Sequence, residues 1–141
     1  MTRLAALSDT APRCSSLWQT DPVDCPPGSP AFVNAVVGLS PRPDETPESL
    51  LGKLQQLELE FGRPPKHGVN EPRPLDLDLL VFGTERRATP HLVLPHPRAH
   101  LRRFVLAPWA EIAPSFVIPG QSETVAGLLA GLGTQGTVRR V

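Results

Sequence analysis

The stretch Arg73-Pro74-Leu75-Asp76-Leu77-Asp78-Leu79-Leu80-Val81-Phe82 places two carboxylates inside an otherwise apolar run. In a β-strand the side chains alternate between two faces, so Asp76 and Asp78 would share one face while the neighbouring leucines occupy the other. Two residues of strand rise span ~7 Å, a separation that two metal ions ~4 Å apart can bridge. The pattern therefore predicts a strand that carries a divalent-metal site on its polar face.

A second interpretation of this strand needs no metal. An edge strand often carries charges on its outward face, where they discourage pairing with other chains. The surrounding sequence favours the metal site, because cationic side chains flank the acidic pair on both sides. Carboxylates for magnesium together with cations for phosphate oxygens are the combination used in phosphoryl transfer. The flanking cations are Arg63, Lys66, Arg73, His96, Arg98, Arg102 and Arg103.

Length and composition limit the class of protein. A chain of 141 residues fits a single domain, residues 1–141, that buries ~68% of its unfolded surface. The formal net charge is zero, which argues against a partner such as nucleic acid or a membrane surface. Cys14 and Cys25 show neither metal-ligand spacing nor a disulfide framework, so we expect reduced thiols in a cytoplasmic protein. We also expect no signal peptide and no membrane span.

Hydrophobic periodicity predicts one well-defined amphipathic helix. Thr46 is the expected N-cap and Pro47 the first helical residue, and Gly62 is the expected stop. The apolar stripe expected to face the core consists of Leu50, Leu54, Leu57 and Phe61. A later helix is predicted from a Ser122 cap through Leu132. Between the first helix and the acidic strand, Arg63–Pro72 has the composition of a mobile basic flap.

Strand-like patterns are distributed along the rest of the chain, and interleaved strands and helices predict a small α+β sandwich. Besides the acidic strand, the predicted strands are Arg13–Gln19, Phe32–Leu39, Phe116–Ile118 and Val138–Val141.

Four linked motifs follow one another between about Cys14 and Pro119. They are Phe32-Val33-Asn34-Ala35, then Gln55-x-x-Glu58-x-x-x-Gly62-Arg63, then Pro72-Arg73-Pro74-Leu75-Asp76-Leu77-Asp78, and finally Pro95-His96-Pro97-Arg98 followed by Arg102-Arg103-Phe104-Val105-Leu106-x-Pro108. In this order and spacing they resemble the 6-hydroxymethyl-7,8-dihydropterin pyrophosphokinase family of folate biosynthesis.

The resemblance implies a ferredoxin-like α+β fold, an antiparallel sheet with helices packed on it. The family opens with a strand that ends in Gly-Ser-Asn, followed by a long helix, and this chain has neither motif. We therefore expect the first strand of the sheet to be missing, with Leu4-Ala5-Ala6-Leu7 resembling the tail of the first helix.

The resemblance also implies an activity: transfer of pyrophosphate from ATP to the pterin hydroxymethyl group, with release of AMP. The expected partners are these two small molecules, two Mg²⁺ ions serve as cofactors, and the protein acts as a monomer. Two alternatives stay open. One is a truncated or degenerate member that binds ATP or pterin without turnover, and the other is a different magnesium-dependent phosphotransferase that reuses the acidic strand.

Site residues follow from matching motif positions. Asp76 and Asp78 would hold the metal ions, and Arg63 and Arg73 would stabilise the transferring group. The residues implied to contact ATP are Gln55, Glu58, His96 and Arg102, and those implied to contact the pterin are Thr20, Phe32, Asn34 and Phe104. Stacking suits the flat pterin because offset aromatic pairs contribute ~1 kcal/mol beyond area burial. The Asn amide offers the pterin edge both a donor and an acceptor.

Overall fold

The computed structural model of the chain describes residues 2–20, 32–61, 76–132 and 138–140. Its helices are α1 (Thr2–Ala5), α2 (Pro47–Glu60), α3 (Arg103–Ile112) and α4 (Val125–Gly131), with a 3-10 turn at Ala99–Leu101. Its strands are β1 (Arg13–Cys14), β2 (Trp18–Thr20), β3 (Phe32–Asn34), β4 (Val37–Gly38), β5 (Arg87–Ala88), β6 (Val93–Leu94) and β7 (Val138–Arg140). Every described strand pair is antiparallel. Helices combined with antiparallel strands confirm the predicted α+β class.

Strand β2 is the centre of the largest described sheet, whose strand order is β3-β2-β7. The pairing of β7 with β2 confirms the predicted final strand for Val138–Arg140. Strands β1 and β4 form a second sheet, and β5 and β6 form a third. Helix α3 packs against β2, β3 and β7 and also against α4, so it lies between the central sheet and the C-terminal helix.

A β-bulge divides the first two predicted strands, so the prediction of uninterrupted strands at Arg13–Gln19 and Phe32–Leu39 was wrong. Cys14 lies opposite Val37 in one pair, whereas Trp18 lies opposite Asn34 in the other. Residues 15, 16 and 17 therefore face only residues 35 and 36, and one extra residue against a partner strand is the definition of a bulge. The extra residue separates β1 from β2 and β4 from β3.

Helix α2 begins as the sequence predicts. The Thr46 hydroxyl accepts from the backbone N–H of Ser49 at 3.1 Å, and the Ser49 hydroxyl accepts from the Thr46 N–H at 2.9 Å, which forms a capping box. The predicted core stripe is confirmed for Leu50, Leu54 and Leu57, each only 6% exposed. It was wrong for Phe61, which is 50% exposed because the helix ends at Glu60 and Phe61 is its C-cap. The predicted stop, Gly62, lies outside the described residues.

The segment from Asp76 to Phe82 forms no strand ladder with the described residues, so the predicted strand was wrong for this part of its range. A strand is defined by backbone pairing, and no described strand is paired with this segment. Exposure does alternate, since Asp76 and Asp78 are exposed while Leu77 and Leu79 are half-buried, but all four residues line the same cavity.

The main core lies where α3, α4 and the loop between them meet. Its buried members are Ala99, Leu106, Trp109, Ile118 and Val125. Trp109 stacks on Phe116 with ring centroids 5.6 Å apart.

Two predictions for this region were wrong in detail. The predicted strand at Phe116–Ile118 is a single bridge between Val117 and Thr124. The predicted Ser122 cap is replaced by Thr124, whose hydroxyl accepts from the Gly127 N–H at 3.1 Å.

None of the helices in the described ranges is both long and apolar enough to cross a membrane.

Replacing Leu106 by alanine should lower the free energy of unfolding by about 2–5 kcal/mol, because the side chain is fully buried and its removal leaves a cavity. Denaturant titration of the two proteins measures the change. Leu101→Ala is the matched control, since Leu101 is 59% exposed and its truncation should change stability by about 0.5 kcal/mol or less. Equal losses in both variants would contradict this placement of the core.

Candidate active site

A cavity of about 410 Å³ brings together residues from at least five parts of the sequence, including Leu4 and Leu7 near the start of the chain and Leu50 and Leu54 of α2. One wall is formed by the segment from Asn34 to Leu39, a second by the segment from Asp76 to Gly83, and a third by α3. Four of the predicted site residues line it: Asn34, Asp76, Asp78 and Phe104. The residues predicted to bind metal and those predicted to bind a flat heteroaromatic ring thus share one space.

Asp76 and Asp78 are held in place by a hydrogen bond of Leu77, the residue between them. The backbone N–H of Leu77 donates to Oε2 of Glu58 at 2.9 Å. Within the described part of the chain, neither Asp76 nor Asp78 forms a hydrogen bond or ion pair. Both residues line the cavity. Across the described ranges, no group of three or more His, Cys, Asp or Glu side chains is placed to hold a metal ion.

Glu58 occupies a position that sequence reasoning did not foresee. Its side chain is only 4% exposed, although glutamate is among the residues least often buried. The sequence did contain a signal, because Glu58 follows Leu54 by four positions and Leu57 by one, which places it beside the buried stripe of α2. Gln55, three positions earlier, is exposed on the same helix.

Asn34 and Phe104 approach the cavity from different elements. Asn34 pairs directly with Trp18 across β2 and β3, and it is half-buried. Phe104 lies in the first turn of α3. The guanidinium carbon of Arg102 lies 5.5 Å from the centroid of the Phe104 ring, within the range of a cation–π contact. This contact places a positive charge immediately beside the aromatic ring.

His96 lies near the acidic pair and the basic residues that follow it. Its backbone N–H donates to the carbonyl of Leu80, two residues beyond Asp78, at 2.8 Å. Burial lowers the pKa of His96 below its ordinary value, the charge of Asp78 opposes this shift, and the charges of Arg102 and Arg98 reinforce it. The Nδ1 atom accepts from the Arg98 backbone N–H at 3.2 Å. The neutral ring therefore carries its proton on Nε2, where it can donate to a ligand.

The remaining predicted residues are described incompletely. The backbones of Thr20 and Phe32 face each other in the β2–β3 pair, but their side chains are outside the described part of the structure. Arg63, Arg73 and the predicted flap at Arg63–Pro72 lie outside the described residues altogether.

Comparison with known proteins identifies what the chain resembles. The model of the 7,8-dihydro-6-hydroxymethylpterin-pyrophosphokinase family matches residues 1–114. A 2-amino-4-hydroxy-6-hydroxymethyldihydropteridine pyrophosphokinase of Synechocystis sp. is 40% identical over 119 residues, and the match covers 83% of this chain and 57% of the relative. A protein of the same name from Pseudomonas aeruginosa is 39% identical over 122 residues, covering 84% of this chain and 66% of the relative.

A third relative is a mitochondrial folate synthesis bifunctional protein of Arabidopsis thaliana, 40% identical over 116 residues that make up 81% of this chain and 19% of that protein. The chain spans 57% and 66% of the lengths of the two bacterial relatives.

Stability should decrease as the pH falls through the ordinary pKa of histidine, because the folded state holds His96 in its neutral form. The pKa of His96 is lowered from 6.5 on folding, so the unfolded chain takes up the proton first. The contribution of neutral His96 to the free energy of unfolding is thus complete above about pH 6.5 and is lost as the pH falls below this value. Denaturant titrations in nucleotide-free buffer at pH values on both sides of this range measure the effect. His96→Gln should show a flatter profile, and identical slopes for the two proteins would contradict the placement of His96.

Proposed function

Because the chain belongs to the 7,8-dihydro-6-hydroxymethylpterin-pyrophosphokinase family, we propose that it transfers pyrophosphate from ATP to 6-hydroxymethyl-7,8-dihydropterin in folate biosynthesis. The pterin hydroxyl oxygen would attack the β-phosphorus and release its proton to water, while the bond from the β-phosphorus to the oxygen that bridges it to the α-phosphorus breaks and AMP leaves with that oxygen. The observation that carries the proposal is the single cavity lined by Asp76, Asp78, Asn34 and Phe104. We further propose that the protein acts as a monomer in the cytoplasm.

Asp76 and Asp78 are the residues that would hold magnesium. Both are exposed to the cavity and, within the described residues, neither is committed to a hydrogen bond or ion pair. Two carboxylates suit Mg²⁺ because this ion keeps several waters and takes its other ligands from substrate phosphates. When bound, two such ions would neutralise the charge of the phosphates. Arg63 and Arg73 would stabilise the transferring group, since the planar guanidinium fork meets phosphate oxygens in pairs.

The neutral part of the cavity would bind the pterin. The Phe104 ring offers a stacking surface, and the Asn34 amide offers one donor group and one acceptor to the polar rim. We assign Thr20 and Phe32 to the same end because their backbones lie beside Asn34 in the β2–β3 pair. The nucleotide would lie toward His96 and Arg102, with the Nε2–H of His96 donating to it. We assign Gln55, an exposed residue of α2, to the nucleotide as well, and Glu58 would support the acidic segment through its bond to Leu77.

A second candidate function is binding of ATP or pterin without turnover. It is favoured by one observation, which is that the segment from Asp76 to Phe82 forms no strand ladder with the described residues. Catalysis requires the reacting groups within about 0.5 Å of productive geometry, and an acidic segment without ladder bonds is held less firmly than a paired strand. The two functions differ in whether AMP is formed.

The chain should form AMP from ATP only when both the pterin substrate and Mg²⁺ are present. Asp78→Asn should abolish AMP formation and the magnesium-dependent part of nucleotide binding, because the variant loses one of the two carboxylates. Separation of nucleotides by chromatography and calorimetry with a non-hydrolysable ATP analogue measure the two quantities. Asp44→Asn is the control, since Asp44 is an exposed carboxylate that does not line the cavity. Ligand binding without AMP would support the second candidate function, and unchanged nucleotide binding in Asp78→Asn would refute the metal assignment.

Binding of the two substrates should respond to different substitutions. Phe104→Ala should weaken pterin binding by about 1–3 kcal/mol through lost stacking and burial, and leave nucleotide affinity nearly intact. Arg102→Ala should mainly weaken nucleotide binding, and the loss should shrink at high salt because exposed charges are screened. Calorimetry with each ligand at two salt concentrations measures both effects. Equal weakening of both ligands by both substitutions would exclude a two-part site.

A further inference from the structure

Outside the cavity, one carboxylate connects two of the elements that build it. Oε1 of Glu111 on α3 accepts from the Ser16 backbone N–H at 2.7 Å and from the indole N–H of Trp18 at 3.1 Å. Its Oε2 accepts from the Ser16 hydroxyl at 2.6 Å. Three donors on one ionised group form charge-assisted bonds, which are stronger than bonds between neutral partners. Helix α3 is thereby fastened to the start of β2.

The Ser16 N–H belongs to the bulge that separates β1 from β2. A bulge leaves a residue without its partner in the ladder, so the backbone N–H of that residue needs another acceptor. Glu111 supplies that acceptor for Ser16. The bulge also sets the register of the next pair, in which Trp18 lies opposite Asn34. A contact that fixes the bulge therefore fixes the position at which Asn34 enters the cavity.

The same carboxylate is linked to the other wall through α3. Phe104 precedes Glu111 by seven positions, which is close to two helical turns, so the two lie on one side of α3 about 10 Å apart along its axis. Trp18 and Asn34 are direct cross-strand partners and share one face of the sheet. Since the indole N–H of Trp18 reaches α3, this face is the one turned toward α3. Phe104 and Asn34 both line the cavity.

We propose that Glu111 is a positioning residue that sets the distance between Phe104 and Asn34, and thereby the affinity for the flat heteroaromatic substrate. It touches neither substrate. It acts by holding α3 against the start of β2 through its bonds to Ser16 and Trp18. The proposal rests on the proposed function, because it assumes that these two side chains bind the pterin.

The test uses the whole chain and two probes, 6-hydroxymethylpterin and a non-hydrolysable ATP analogue with Mg²⁺. Glu111→Ala should weaken binding of the pterin about three- to tenfold, the size of effect expected for a residue that acts through its neighbours, and should change nucleotide affinity less than about twofold. Glu111→Gln should restore most of the pterin affinity, since its amide can still bond Ser16 and Trp18. Trp18→Phe removes the indole donor and keeps an aromatic ring, so it should show a smaller loss confined to the pterin.

Glu48→Ala is the matched control, because Glu48 is an exposed carboxylate whose Oε2 lies 2.6 Å from Nε of Arg87 and which does not line the cavity. The Glu48→Ala variant should be less stable than the unmutated chain but should bind both probes with unchanged affinity. The proposal is overturned if Glu111→Ala weakens both probes equally, or binds the pterin like the unmutated chain. If the Glu111→Ala variant fails to fold, the Trp18→Phe variant provides the test instead. The proposal is then overturned if Trp18→Phe binds the pterin as tightly as the unmutated chain does. Failure of the unmutated chain to bind the pterin would reject the proposed function itself, and this inference with it.

Discussion

The hydrogen bond from the Leu77 N–H to the buried Glu58 carboxylate is the constraint on which the candidate site depends. The acidic segment forms no ladder with the described strands, so this bond and the one from His96 N–H to the Leu80 carbonyl hold its backbone. Burying a carboxylate carries a large desolvation cost unless donors compensate it. Glu58 is therefore tied to its backbone partner. The bond fixes the backbone between Asp76 and Asp78, and both of these residues line the cavity.

The cavity lining includes both uncharged and charged side chains, and Arg102, which is not part of the lining, contacts one of the uncharged ones, Phe104. Asn34 and Phe104 are uncharged and offer a ring a stacking surface and a pair of hydrogen bonds. Asp78 adds a negative charge to the lining. His96 does not line the cavity, but its backbone N–H bonds to the carbonyl of Leu80, which does, and burial lowers the pKa of its ring in spite of the carboxylate. The guanidinium carbon of Arg102 lies over the Phe104 ring, 5.5 Å from its centroid, and a guanidinium that contacts an aromatic ring in this way keeps N–H groups with which it can donate to an anion.

Sequence reasoning succeeded where the determining contacts are local. The cap at Thr46 and the stripe of α2 depend on residues three or four positions apart, and the alternating exposure around Asp76 and Asp78 involves adjacent residues. It failed where the local structure depends on contacts with residues far away in the sequence. The bulge at Ser15–Leu17 is visible only from the register with β3 and β4, and whether Asp76–Phe82 becomes a strand depends on what lies beside it. The predicted ATP contact at Glu58 did not foresee its burial, since that follows from how α2 packs against the acidic segment. The residue roles carried over from the family resemblance stay proposals.

Two carboxylates that line no part of the cavity thus support elements that do, Glu58 by accepting from the Leu77 N–H of the acidic segment and Glu111 by accepting from the Ser16 N–H at the start of β2. They differ in their surroundings. Glu58 is almost completely buried, so its bond to Leu77 is little affected by ionic strength, whereas Glu111 is exposed and its bonds are open to screening. The segment that carries Asp76 and Asp78 is therefore supported by the contact that solvent perturbs less. The β2–β3 pair that carries Asn34 is supported by the contact that solvent can reach.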